Sequence, residues 1–273
     1  MVAMPVGLAI YLMRRWKLGG RIWWIGAATF ILSQVGHIPF NWIVGKLLNQ
    51  TGMAAWNPTA QLIFNAIFLG LSAGIFEETA RYLVLRYWAK EARSWRNGVL
   101  FGAGHGGAEA IILGVLVLYG FIQMVAIRNA DLTKLFSASQ LALAQQQVRS
   151  YWSMTWYDSM LGALERFFTI PCQIAMAVMV MQVFTRKQIR WLIMAIGYHA
   201  ILDGSSVLGS RYLGVYGTEA VICGFAILSL VLIFILRRPE PSEDTPPKPP
   251  APVVSLPVPV EETSENLEKT RYQ

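Results

Sequence analysis

The chain of 273 residues is 55% hydrophobic and only 14% charged, with a mean hydropathy of +0.43. This composition excludes an ordinary soluble domain and is typical of a polytopic helical membrane protein. The net charge of +7 does not indicate a nucleic-acid partner, because the positive residues are concentrated in short segments between apolar runs. Cys172 and Cys223 both lie in apolar segments, so neither a disulfide framework nor a cysteine-based metal site is predicted.

The apolar runs predict an all-α transmembrane helix bundle of about seven spans. In chain order, these are 2–13, 22–48, 60–86, 97–127, 155–185, 190–209 and 215–236. The first is too short to cross a hydrocarbon core of ~30 Å by itself. Clusters of arginine and lysine follow spans one, three, five and seven, whereas the alternate loops carry far fewer. The positive-inside rule then predicts an external N-terminus and a cytoplasmic C-terminus, in the plasma (inner) membrane.

Two segments depart from this pattern. Residues 131–150 are polar enough to lie outside the hydrocarbon, either as an interfacial helix or as an external extension of span five. From Pro239 onward the chain is rich in proline and net acidic. This predicts a disordered cytoplasmic tail over 239–273, following a membrane domain over 1–238.

Three ionisable residues in different spans lie at the same predicted depth. Each is nine positions from a boundary arginine: Glu77 precedes Arg86, His105 follows Arg96, and His199 follows Arg190. At the rise of an α-helix, nine positions correspond to roughly 13 Å. Because acids and histidines are costly in a bilayer, they usually face one another or a wet cavity. The shared depth therefore predicts one site, in a cavity that opens to the cytoplasm.

Span three ends in two adjacent glutamates and an arginine. Glu77 and Glu78 point about 100° apart on a helix, so they cannot both face one cavity, and Arg81 is within reach of either. One division gives one glutamate to the cavity and the other to Arg81. In the alternative, all three mark the cytoplasmic interface and Arg81 extends to the headgroups.

Spans four and six each carry a histidine and an acid four positions apart, the pairs His105–Glu109 and His199–Asp203. Side chains at this spacing share a helix face, so Glu109 is expected to orient the His105 imidazole. The glycines around His105 would allow close helix packing or leave room for a substrate backbone. With Glu77, these groups could activate a water. Zinc could be held by His105, His199 and Glu77, or a metal-free Glu–His dyad could act as general base.

Other buried polar residues are expected to be structural. His37 shares a polar stripe with Ser33, Gln34 and Asn41 and is predicted to be a satisfied interior histidine above the site. Glu165 and Arg166 lie near the outer face of span five and are predicted to form a structural ion pair.

In order along the chain, these residues resemble the motifs of the CAAX-processing and bacteriocin-processing superfamily of intramembrane proteases, to which PrsW is related. Glu77-Glu78-x-x-Arg81 resembles its EExxR-type motif, Phe101-x-x-x-His105 its FxxxH motif, and His199-x-x-x-Asp203 its HxxxN/D motif. Within the superfamily, the chain is most similar to the YhfC-like intramembrane metalloproteases. That branch often has a histidine where this chain has Gln173, and this departure disfavours a metal.

The resemblance implies a role for each matching residue. Glu77 would be the catalytic base, with His105 as its partner or a metal ligand. His199 and Asp203 would bind the developing oxyanion or complete a metal site. If a metal is bound, the implied cofactor is zinc. Glu78 and Arg81 would have an architectural role. The implied function is hydrolysis of a membrane protein or peptide substrate near the cytoplasmic leaflet.

Two other functions remain open at the level of the sequence. Related membrane folds include subunits without proteolytic activity, such as the APH component of γ-secretase, so the chain could be a scaffold or sensor. Buried carboxylates and histidines also make proton relays, so a proton-coupled transporter is the third alternative.

Overall fold

In the computed structural model, which describes residues 1–237, the chain folds into helices. The eight α-helices are α1 (Ala3–Trp16), α2 (Arg21–Gln50), α3 (Pro58–Tyr87), α4 (Trp95–Ile127), α5 (Ala138–Ser153), α6 (Leu161–Thr185), α7 (Arg190–Tyr212) and α8 (Gly214–Ile235). Short 3-10 turns join some of them, and these described residues contain no strand. The all-α prediction is confirmed. The predicted tail over 239–273 lies outside the described residues.

Every predicted span coincides with a helix, but not every helix meets the requirements of a span. Five segments are long and apolar enough to cross a membrane: Pro58–Tyr87, Trp95–Ile127, Asp158–Thr185, Arg190–Tyr212 and Gly214–Ile235. Helix α1 has only 14 residues, and α2 has 30 but carries the polar stripe around His37. Helix α5 is separate from α6, which favours the interfacial alternative for this segment over an extension of span five.

Helix α3 begins at Pro58 with a capping residue before it. Asn57 caps it, its side-chain oxygen accepting a hydrogen bond from the Thr59 backbone N–H at 2.8 Å, and Pro58 occupies the first helical position. Both residue types are favoured there, since the cap satisfies a free N–H and proline has none to satisfy. The start of α3 thereby fixes the register that places Glu77 in the bundle.

The helices form a closed arrangement around the site. Helix α2 packs against α3 and α4, α3 packs against α7, and α4 packs against α6. Helix α6 completes the arrangement through α7 and also contacts α8, while α1 lies on α4. Side chains that point inward from α2, α3, α4, α6 and α7 can therefore meet.

Small residues bring these helices close together. A Cβ on Gly104 of α4 would lie 2.0 Å from the Trp23 carbonyl oxygen of α2, and a Cβ on Gly70 of α3 would lie 2.4 Å from the Ala200 carbonyl oxygen of α7. No side chain fits at such distances. The glycines beside His105 thus serve helix packing, and neighbouring helices fill the space that was expected for a substrate backbone.

Helix ends that carry the arginine and lysine clusters gather at one end of the bundle, which we call the basic end. Arg21 at the start of α2 pairs with Glu91, in the connection between α3 and α4. Trp95 at the start of α4 donates from its indole N–H to the Ile233 carbonyl near the end of α8, at 2.8 Å. The boundary arginines therefore lie at one end of the bundle, so depths counted from them can be compared between helices.

Candidate active site

Glu77, near the middle of the bundle, is surrounded by hydrogen-bond donors. One carboxylate oxygen, Oε1, accepts from the Gln34 side-chain amide at 3.1 Å, and the other, Oε2, lies 3.0 Å from His105 Nε2. A guanidinium nitrogen of Arg81 is 3.7 Å from Oε2. Glu77 is 6% exposed, so this buried carboxylate is held by partners from α2, α3 and α4 rather than by solvent.

Glu78 points about 100° away from Glu77 around α3 and joins a second group. Its Oε1 accepts from Arg81 and from Nδ1 of His199, the latter at 2.8 Å. Nε2 of His199 lies 3.5 Å from the Asp203 carboxylate. Arg81 also donates to the side-chain oxygen of Gln173. Glu78 and Arg81 are wholly buried, which contradicts the alternative that these residues mark the membrane interface.

The three residues of equal predicted depth thus converge. His105 reaches Glu77, and His199 reaches the neighbouring Glu78, although these histidines lie 94 positions apart in the sequence. The division inferred for span three is also found, because Glu77 faces a cavity and Glu78 is paired with Arg81.

The expected pairing of His105 with Glu109 is absent. The Glu109 carboxylate instead accepts from Arg166 at 2.5 Å and from the Gln173 amide at 2.7 Å, whereas Nδ1 of His105 has no hydrogen-bond partner. Sharing a helix face is not sufficient for a contact when a long cation from another helix reaches the same carboxylate. Glu109 therefore orients Gln173 and Arg166 rather than the imidazole.

The predicted ion pair of Glu165 and Arg166 is present, but it is not remote from the site. Arg166 bridges Glu165 and Glu109, and all three side chains line the same cavity as Glu77. This contact could not be predicted, because the position of Arg166 along α6 does not reveal which way its long side chain extends.

His37 is a hydrogen-bonded interior histidine, as expected, and it is connected to the site. Its Nδ1 lies 3.3 Å from the side-chain oxygen of Gln34, whose amide donates to Glu77. Its Nε2 is within 3.1 Å of the Ser72 hydroxyl and 2.9 Å of the Asn41 amide. Gln34 thus links the polar stripe of α2 to the Glu77 carboxylate.

A polar cavity of about 280 Å³ lies beside this network. Its polar lining consists of Glu77, Glu109, Glu165, Arg166, Thr169, Gln173, His199, Asp203 and Ser206. Of the four residues predicted to be catalytic, Glu77, His199 and Asp203 line the cavity, whereas His105 lies behind Glu77 and is fully buried. The sequence also missed Gln173, Thr169 and Ser206 as lining residues, since single polar residues in an apolar helix give no sign of their direction.

Among residues 1–237, the bundle is closely packed toward the basic end, where an opening was expected. Between the site and that end lie Leu85, Leu100, Phe101, Val178 and Met181, which are 0–2% exposed and belong to the hydrophobic core. The cavity occupies the other side of the Glu77 layer. Equal depth along the helices could not reveal this, because it does not specify where between the helices the packing is loose.

The described residues do not form a site that fits a metal ion. Within residues 1–237, no group of three or more His, Cys, Asp or Glu side chains is arranged to hold one. His105 Nε2 and His199 Nδ1 are each paired with a carboxylate, and the Arg81 cation contacts Glu77 and Glu78. The triad of His105, His199 and Glu77 predicted for zinc is therefore not assembled, since these ring nitrogens and carboxylates already have protein partners.

Comparisons with known proteins cover the whole site. The profile of the YhfC intramembrane metalloprotease family matches residues 1–226. The "Uncharacterized membrane protein YhfC" of Bacillus subtilis (strain 168) is 28% identical over 240 residues, which cover 86% of this chain and 92% of that protein. No solved structure matches the chain. Every residue that lines the polar cavity lies inside the region matched by the family profile.

Proposed function

The chain belongs to the YhfC intramembrane metalloprotease family, and from this premise we propose that it hydrolyses a peptide bond of a membrane-associated substrate within the bilayer. It is a multi-pass integral membrane protein. The observation that carries the proposal is the presence of Glu77 and His199 on one polar cavity inside an apolar bundle. The motif likeness to the CAAX-processing and bacteriocin-processing superfamily supports the same reaction.

Glu77 is the proposed general base. Its carboxylate lines the cavity, and Gln34 and His105 fix it from behind through hydrogen bonds of 3.1 and 3.0 Å. A water bound in the cavity would transfer a proton to Glu77 as its oxygen attacks the carbonyl carbon of the scissile bond. When the C–N bond breaks, the same proton would pass from Glu77 to the leaving amine.

His199 is the proposed stabiliser of the tetrahedral intermediate. In the imidazolium form it can donate from Nδ1 to Glu78 while Nε2 is directed toward Asp203 and the cavity. A donor in a buried, preorganised position stabilises charge that develops on the carbonyl oxygen. His105, predicted from the sequence to be catalytic, is here a positioning residue because it contacts Glu77 and not the cavity.

The proposed topology has seven spans, with α1 a partial one, and the basic end in the cytoplasm. Helix α2 is about 45 Å long at the rise of an α-helix and packs in the bundle beside α3 and α4, as a spanning helix would. The arginines and lysines at the basic end support the orientation through the positive-inside rule. The proline-rich tail over 239–273 would then be cytoplasmic.

The proposal predicts that Glu77→Gln abolishes cleavage without unfolding the bundle, because an amide keeps the shape of the side chain but cannot accept the proton from water. The measurement is a comparison of the N-termini of membrane proteins in cells that make the wild type or the variant. New N-termini should appear with the wild type and be missing with Glu77→Gln.

Glu91→Gln is the matched control, because Glu91 is an exposed carboxylate in the connection between α3 and α4. It should give the same new N-termini as the wild type. Identical N-termini from wild type and Glu77→Gln would contradict the assignment of Glu77. A wild type that generates no new N-terminus would favour the scaffold alternative.

A further inference from the structure

The polar cavity extends from the Glu77 layer away from the basic end. On α7, His199 lies nine positions from Arg190, whereas Asp203 and Ser206 lie 13 and 16 positions from it. On α6, Glu165 lies 20 positions before Thr185, which is about 30 Å at the rise of an α-helix. The lining therefore runs from the middle of the bundle to the opposite end, where α6 begins.

Exposure of the lining side chains increases in the same direction. The side chains of His199 and Glu77 are 3% and 8% exposed, while those of Asp203 and Glu165 are 39% and 37% exposed. The inner end of the cavity is thus covered and its outer part is open. Toward the basic end, by contrast, the fully buried core residues close the bundle.

The outer part of the cavity is charged. Glu165, Arg166 and Asp203 are found there, and charged groups at this depth in a membrane are stable only against partners or water. Arg166 is paired with Glu165 and Glu109, but a large part of the Glu165 and Asp203 side chains remains open. This rim therefore faces water and not lipid tails.

We propose that water and substrate reach Glu77 from the end of the bundle opposite the basic end, which is the outer face of the membrane. The substrate is then a polypeptide segment presented from outside the cytoplasm, in an extended form that can enter between α3, α6 and α7. The identity of the substrate rests on the proposed proteolytic function. The direction of access relative to the basic end does not, because it follows from the packing. The assignment of that direction to the outer face rests on the proposed topology.

Cysteine labelling tests this direction. In a background of Cys172→Ala and Cys223→Ala, Ser206→Cys places a thiol on the polar cavity. Ser205→Cys is its matched control, since Ser205 lines an apolar groove between α3 and α7 with Ile63, Ile67 and Leu71. A membrane-impermeant maleimide should label Ser206→Cys from outside intact cells and leave Ser205→Cys mostly unlabelled.

Two exposed positions define the sides of the membrane in the same experiment. Thr51→Cys, at the end of α2, reports the end opposite the basic end, and Lys90→Cys reports the basic end. Ser206→Cys should be labelled from the same side as Thr51→Cys. Labelling of Ser206→Cys only from the side that labels Lys90→Cys would overturn the proposal. So would a failure to label Ser206→Cys when Thr51→Cys and Lys90→Cys each react from their own side. Labelling of Thr51→Cys only in inverted vesicles would overturn the assignment to the outer face.

A second measurement separates access from catalysis. If Ser206→Cys is labelled from outside and the wild type generates new N-termini, both the route and the proteolytic function are supported. If Ser206→Cys is labelled from outside but the wild type generates no new N-termini, the proposed function fails and the route stands.

Discussion

Arg81 organises the charges of the site. It contacts Glu77 and Glu78 and donates to Gln173, and it is wholly buried. Removing one partner of a buried ion pair costs about 3–5 kcal/mol, because an uncompensated charge is left in a medium that solvates it poorly. Arg81 supplies one positive charge to the two carboxylates, and the imidazoles of His105 and His199 complete their hydrogen bonding inside the apolar bundle.

Because Arg81, His105 and His199 already contact these carboxylates, we expect the protein to bind no stoichiometric zinc. The measurement is elemental analysis of the wild type, purified in detergent, beside a variant with His105→Ala and His199→Ala. Both should contain zinc far below one ion per chain. Near-stoichiometric zinc in the wild type that is lost from the variant would contradict this expectation and restore the three-ligand site predicted from the sequence.

Gln173 links Glu109, on the polar cavity, to Arg81, which contacts Glu77 and Glu78. Its amide donates to Glu109 and its oxygen accepts from Arg81, so Gln173→Leu deprives two buried charged groups of a partner. We expect this change to lower kcat about tenfold, equivalent to ~1.4 kcal/mol in the barrier, while KM changes less.

The control for Gln173 is Gln188→Leu, which makes the same replacement at an exposed position after α6. Steady-state kinetics on a substrate identified from the new N-termini would provide both constants. An unchanged kcat for Gln173→Leu would show that the link between Glu109 and Arg81 has no bearing on the reaction.

At the scale of single residues, spacing predicted which groups meet but not every pair. Nine positions from a boundary arginine placed Glu77, His105 and His199 in one layer, because helix rise is constant. The sequence could not predict that Arg166 forms an ion pair with Glu109, which was expected to contact His105. That outcome depends on the rotation of α6 and on a long side chain with several rotamers.

The helices themselves were predictable to within a few residues. Apolar length and flanking arginines marked each span, although α6 begins at Leu161 and not at the predicted 155. What the sequence left open is how closely the helices approach. Glycines in α4 fit either a packing surface or a substrate groove, and the structure resolves the choice by placing the Trp23 carbonyl against Gly104.

Gly104→Ala should destabilise the bundle and reduce cleavage. The new methyl group would lie 2.0 Å from the Trp23 carbonyl oxygen, so α2 must move away from α4, and with it Gln34, which holds Glu77. We expect a lower melting temperature, measured by the loss of monodisperse protein in detergent after heating.

Gly120→Ala is the control on the same helix, because a Cβ there meets no atom within 4 Å. It should leave the melting temperature unchanged or raise it slightly, since alanine favours a helix more than glycine does. Equal melting temperatures for the two variants would show that the close approach of α2 and α4 is not required.

At the scale of the whole molecule, the arrangement explains how a polar reaction could proceed inside an apolar bundle. The core near the basic end holds the helices together, and the polar cavity on the other side admits water to Glu77 and His199. Composition predicted the membrane bundle and the loop charges predicted a common basic end. The side on which the cavity lies depends on packing between helices, which composition and residue spacing do not predict.

The most direct test of proteolysis at Glu77 uses the purified protein in proteoliposomes with single-span membrane peptides, in water enriched in oxygen-18. Mass spectrometry of the products would then report both cleavage and the source of the new carboxyl oxygen. We expect the wild type to produce fragments with one oxygen-18 atom in the new C-terminal carboxylate, and Glu77→Gln to produce none. Cleavage by Glu77→Gln at the wild-type rate would contradict the account.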